Sequence, residues 1–175
     1  MGADWRGFEG GTAMDDPGQP VGYMERTRLY YRALGYKADY QWAHHDAVPF
    51  VRLAKPLAAC RIALLTTASP LDGSNKDAKN WRHPWSAPID PAPASLDTSD
   101  LAWDRESTHT DDRESFLPLA AAGAWAAEGR IAGLTGRFHG VPTEYSIRKT
   151  NAQDAPDVLA RLREDGADAA ILCAI

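Results

Sequence analysis

The sequence predicts an α/β fold in which a parallel sheet is covered by flanking helices. Two apolar runs rich in strand formers, "CRIALLTTA" (60–68) and "ADAAILCAI" (167–175), stand far apart in the chain. Between them lie two helical patterns, each with a proline near its start and a glycine at its end. The resulting order is strand, long loop, helix, strand, loop, helix, strand. That order calls for right-handed parallel crossovers and a Rossmann-like sheet.

Taken in order, residues 1–20 are rich in Gly, Asp and Pro and read as a disordered lead-in. "YMERTRLYYRALGY" (23–36) is a helix, with Met24, Arg28, Tyr31 and Leu34 at three- and four-residue spacing and Gly35 suited to its end. "YQWAHHDAVPFVRLAKPL" (40–57) carries two prolines and mixed polarity, which predicts an extended connection. Cys60–Ala68 is the first core strand. Residues 69–102 form a long loop containing "NWRHPWSAPIDPAPAS", a length that signals a lid, a binding segment or disorder. The tryptophans on either side of His83 favour packing or ligand contact. "FLPLAAAGAWAAEG" (116–129) is the clearest helix, with Gly129 as its stop. "RIAGLTG" (130–136) is a short strand leading into the loop "RFHGVPTEYS" (137–146). "DAPDVLARLREDG" (154–166) is a helix capped by Asp154 and stopped at Gly166. Residues 21–175 then read as one α/β domain.

Composition narrows the function. A net charge of −5 gives no electrostatic footprint for nucleic acid or an anionic membrane. No apolar run reaches the roughly 18 residues that span a bilayer, and the amino-terminal residues lack the regions of a signal peptide. Cys60 and Cys173 form neither a metal-type spacing nor a disulfide framework. A cytoplasmic protein is expected.

Three segments carry candidate chemistry. "DRESTHTDDRESF" (104–116) groups His109, Asp111 and Asp112, which with His139 or Glu144 supply the donors of a metal or acid–base site. The alternative is a solvated loop in which Asp111 or Asp112 accepts from backbone amides. "HHD" (44–46) suggests a relay, but adjacent residues on an extended chain face opposite sides, which favours a structural role. Cys173 sits in the last strand among apolar neighbours. Free cysteine in that setting behaves as a small hydrophobe, whereas a reactive thiolate needs a helix N-terminus or a cation.

Four segments in order, "PVGYMERTRLYYRALGY", "KPLAACRIALLTTA", "THTDD" with "FLPL" and "AAEGRIAGLTGRFHG", and "LREDGADAAILCAI", carry a family likeness. The chain resembles the selenoprotein B family of the glycine, sarcosine, betaine and D-proline reductases over residues 20–175, least so in the 69–93 loop. The resemblance implies a redox-active selenocysteine or cysteine at once after a strand like "DAAILCAI", at position 176, then a proline and a second cysteine. On that reading the carboxyl-terminal part of the domain is missing from these 175 residues. A selenocysteine codon, UGA, read as stop would produce such an ending.

The implied activity is reductive cleavage of a carbon–nitrogen bond in a small amine-bearing acid. The selenolate or thiolate is the nucleophile, the second cysteine resolves it, and a thioredoxin-like donor supplies electrons. A partner subunit bearing a pyruvoyl group is implied as well. No cofactor is expected within this chain itself. A helix dipole at such a site is worth about 0.3–1 kcal/mol, which lowers a thiol by at most about one pKa unit. A selenol, more acidic by nature, would be fully ionised there. Within the chain, His109, Asp111, Asp112, His139 and Cys173 are the candidate site residues. Two rival functions remain: a metal-dependent hydrolase or lyase built on His109, Asp111, Asp112 and His139, and a non-catalytic ligand-binding or assembly subunit.

Overall fold

The computed structural model describes residues 22–39, 44, 46–48, 51–103, 105–143 and 146–175. The lead-in (1–20), Glu144 and much of the 40–57 connection lie outside these residues. The chain divides into two compact units, Met1–Val48 and Pro49–Ile175.

The first unit holds helix α1 (Tyr23–Ala33), which ends as its sequence predicts, with Gly35 at a φ of +85°. Arg32 clamps Asp39 through two hydrogen bonds of 2.7 and 2.6 Å, closing the turn after the helix. Tyr31 meets both Tyr30 and Tyr36 edge to face.

The second unit is a mixed α/β structure around an open, mostly parallel five-stranded sheet. Strand β1 (Arg61–Thr66) pairs in parallel with all three of its neighbours. On one flank lie β3 (Gly133–Leu134) and, after a kink, β4 (Arg137–Gly140). On the other lies β5 (Ala169–Cys173), because residues 62, 65 and 66 of β1 pair on both sides at once. Strand β2 (Trp85–Pro88) runs antiparallel to β4 and closes that edge.

The period of two sorts side chains to the two faces. Leu64 and Phe138 point into a core with Ala68, Leu96, Phe116, Leu117 and Ala122, against which Trp85, Ala87 and Ile175 pack. Helix α2 (Leu119–Ala127) contributes Ala122 to this face, and its backbone is tied down by Glu114, which accepts from the Ala120 amide at 2.7 Å. The opposite face carries Ser86, Arg137 and His139 beneath helix α4 (Ala155–Glu164). Among the described residues, no helix is long and apolar enough to cross a membrane.

Four expectations need correction. The 69–102 loop contains β2, a strand so short and so near Pro88 that its pattern has no run to show. "RFHG" is not loop but β4, where alternation buries Phe138 in the core and His139 on the other face. Asp154 does not cap α4. The helix begins earlier, with α3 (Ile147–Lys149) capped by the Ser146 side chain, and a π-helical turn (Thr150–Asp154) leaves Asp154 helical and buried. Finally, β5 is not a buried core strand. It is an edge, with Ile171 39% and Leu172 53% exposed.

Candidate functional site

In an open parallel sheet, ligands bind outside the carboxyl ends of the strands. Here the ends of β1, β4 and β5 converge, since Thr66 pairs with both Gly140 and Cys173. The chain past β5 is held against the end of β1: the Ile175 amide donates to Thr67 Oγ1 at 3.0 Å, and the Ile175 side chain packs on the core. Thr66, Thr67 and Ser69 are all buried there, and Asn75 reaches in to donate from Nδ2 to Ser69 Oγ at 3.3 Å. Cys173 is a free thiol and only half-buried, less enclosed than a small core hydrophobe would be.

Gly140 marks the closest approach at this edge. A Cβ there would lie 1.7 Å from Trp85 Nε1, so the indole lies directly over its backbone. Trp85 donates from Nε1 to the Ala68 carbonyl at 3.2 Å and meets Phe138 edge to face, fixing the β1 and β4 ends together.

His139, a predicted site residue, is fully buried one residue before Gly140. Its direct partner across the sheet is Ser86, with Ser86 Oγ 2.8 Å from Nδ1. Its Nε2 lies 3.1 Å from Asp165 Oδ2, but off the hydrogen-bond line, so this contact is chiefly electrostatic. Arg161 of α4 donates to Ser86 Oγ at 3.0 Å and is itself gripped by Asp157. Arg137 donates from Nη2 and Nε to Asp165 Oδ1 at 2.6 and 3.0 Å and reaches Glu164 at 2.8 Å. Burial pushes the His139 imidazole down from its ordinary value; Asp165 opposes this, and Arg137 and Arg161 add to it. The Arg137 hydrogen bond holds the Asp165 carboxyl below the usual range, against a smaller opposing effect of burial.

Serine, histidine and aspartate in contact are the parts of a nucleophilic relay. A base in such a relay must hand its proton on to a leaving group. His139 has no exposed surface through which a leaving group could approach. The cluster therefore acts as a buried electrostatic clamp between the sheet and α4.

The other predicted residues lie elsewhere. His109 and Asp111 are 3.8 Å apart with side chains 72% and 92% exposed, the solvated-loop geometry. Asp112 caps a short 3-10 turn (Arg113–Ser115), accepting from the Glu114 amide at 2.9 Å. No group of three or more His, Cys, Asp or Glu able to hold a metal ion occurs among the described residues, and His139 is not joined to the His109 loop. In "HHD", His44 and Asp46 meet at 3.1 Å on an exposed stretch, and His45 lies outside the described residues.

Sequence reasoning missed Ser86, Arg137, Arg161 and Asp165. The register of "WSAP" against "RFHG" is the signal that sets Ser86 beside His139. No protein-family model, curated protein or solved structure gives a significant match to the chain.

Proposed function

We propose that the chain is a portion of a cytoplasmic reductase subunit of the selenoprotein B type, with a Rossmann-like sheet carrying its redox residue just past β5. The single observation that supports this reading is the placement of "DAAILCAI". Its strand lies parallel to β1, and Ile175 is held against Thr67 at the carboxyl ends of the strands. A selenolate or thiolate following it would stand where open α/β sheets place their ligands. There it would attack the substrate carbon and expel the amine. The second cysteine would then take over the selenium or sulfur as a mixed bond, releasing the carbon to be protonated. A thioredoxin-like dithiol would restore the pair and become a disulfide. The net result is a carbon–nitrogen bond replaced by carbon–hydrogen with two electrons from the dithiol. A pyruvoyl-bearing partner would hold the amine of glycine, sarcosine, betaine or D-proline.

The test is a protein extended through the downstream reading frame, with selenocysteine or cysteine at position 176, mixed with the partner subunit and a dithiol. Dithiol-dependent cleavage of one of these four substrates is the expected result. No cleavage of any of them, or a following codon of UAA or UAG, overturns the proposal.

A further inference from the structure

We propose that the Arg161–Ser86–His139–Asp165 chain is a protonation-gated latch that holds α4, and with it the start of β5, on the sheet. The argument rests on the polarity of the hydrogen bonds. An arginine can only donate, so Ser86 Oγ must accept from Arg161 Nη1 at 3.0 Å. The serine then has one proton to give, and His139 Nδ1 at 2.8 Å is placed to receive it. Neutral His139 consequently carries its own proton on Nε2, the nitrogen that faces Asp165 Oδ2 at 3.1 Å. In this arrangement the serine proton has an acceptor and the imidazole proton faces a carboxylate, and both ends of the chain belong to α4 or to its first following residue.

A second proton on His139 breaks this polarity. An Nδ1–H would take the remaining lone pair of a hydroxyl that already accepts from Arg161, and the serine proton would lose its acceptor. The new charge would also be wholly buried. The groups around it from each packed element are of both signs, with Asp165 favouring the new charge and Arg137 and Arg161 opposing it. Strand β4 presents Arg137, and α4 presents Arg161 with its partner Asp157. Glu164 and Asp165 are already committed to Arg137. Strand β2 offers only Ser86, and β1 places the untitratable Leu65 opposite. From Asp165 only Gly166 and Ala167 separate the latch from Asp168, which receives the Arg61 amide at 2.7 Å and begins the approach to β5. Opening the latch therefore loosens the attachment of β5 as well as α4.

The sign follows from burial, which lowers the His139 pKa in the folded state. The latch is closed above the free-histidine pKa of about 6.5 and weakens as the pH falls below it. Where opening frees the imidazole, the opening constant rises as the pH falls below that point, by at most about tenfold per pH unit and about 30-fold between pH 7.5 and 5.0. Protonation of Asp165 comes at lower pH, since its carboxyl is held below the ordinary range.

The experiment is amide hydrogen exchange on the 175-residue protein from pH 7.5 to 5.0, corrected for intrinsic rates, comparing α4 peptides with α2 peptides. Exchange in α4 should rise relative to α2 in the wild type, by up to about 30-fold. In His139→Asn, whose side-chain carbonyl can still accept from Ser86 but does not titrate, the rise should vanish. A flat wild-type profile, or the same slope in the variant, overturns the latch. Should that variant fail to fold, nitrogen chemical shifts of His139 in the wild type decide. Neutral imidazole with the proton on Nε2 while α4 is protected supports the latch, and imidazolium in a protected α4 overturns it.

Discussion

Replacing Gly140 by alanine should be among the most damaging single changes in the sheet, although it adds one methyl group. The added Cβ would meet Trp85 Nε1 at 1.7 Å and its Cδ1 and Cε2 at 2.3 Å, so the indole must leave its seat. Overpacking of this kind costs about 1–3 kcal/mol. Moving the ring also gives up the bond from Nε1 to the Ala68 carbonyl and the edge-to-face contact with Phe138. Those contribute about 1 kcal/mol and about 0.5–1.5 kcal/mol respectively. A loss of about 3–5 kcal/mol is a large part of the roughly 5–15 kcal/mol that holds an ordinary domain together. The assay is urea unfolding followed by circular dichroism, reading the midpoint at constant slope. The same substitution in a Trp85→Leu background isolates the clash: with the ring gone, it should cost less than about 1 kcal/mol. A loss below about 1 kcal/mol in the wild type, or an equal loss in both backgrounds, would refute the steric account.

Three further outcomes follow from the geometry. Asp112→Ala should lower stability by about 0.5–1 kcal/mol through loss of its cap, whereas His109→Ala and Asp111→Ala should stay within about 0.5 kcal/mol. Thermal melts showing Asp111→Ala to be the costlier change would contradict the solvated-loop assignment. Arg137→Met should cost about 1–2 kcal/mol at neutral pH, a figure reduced because the arginine is 37% exposed. Because Arg137 lowers the Asp165 pKa, that contribution is present above about pH 3.9 and disappears as the pH falls through the folded value. A gap between variant and wild type that does not narrow as the pH falls below about 3.9 would count against the pairing. Leu172→Lys should reduce self-association by light scattering without lowering the unfolding midpoint, since it places a charge on an exposed apolar edge strand. Unchanged scattering would mean that β5 is not the route of association.

Legibility in the sequence followed the length and uniformity of each pattern. "CRIALLTTA" and the alanine-rich helix were readable because many consecutive residues repeat one message, and Gly129 and Gly166 do end their helices with positive φ. "WSAP" and "RFHG" were not, because four residues offer two alternations at most and each contains a strand breaker. They become strands only by pairing, "RFHG" with β1 and "WSAP" with "RFHG", a tertiary fact. The same pairing decides the site. The sequence offers His139 as a further donor to the distant His109 cluster, yet its environment is set by Ser86, 53 positions away, and by Asp165 at the end of a helix. The acidic cluster around His109 shows the opposite case: suitable donors close in sequence, but with the His109 and Asp111 side chains turned out into solvent. Apolar composition likewise misjudged β5, because a run of Ala, Ile and Leu reports preference for burial and not whether a neighbour is present to provide it.

These placements divide the candidate residues by what they can reach. His139 is enclosed by Ser86, Asp165 and the two arginines, so its protonation can change how α4 sits but cannot touch a substrate. The proposed function places its chemistry instead at the carboxyl ends of β1, β4 and β5, where Thr67 holds the Ile175 amide. Because Ile175 is fixed both by that hydrogen bond and by its packing on the Leu64–Phe138 core, a reactive group attached beside it would be held by the sheet and not by a loose loop. The latch and this edge meet in β5, which α4 delivers to the sheet through Asp168 and which ends beside Thr67. Protonation that opens the latch should then disturb the carboxyl edge in the wild type, and not in the variant that does not titrate. This makes exchange at the β5 amides of His139→Asn, compared with those of wild type at pH 7.5 and 5.0, the direct measure of whether the two are coupled.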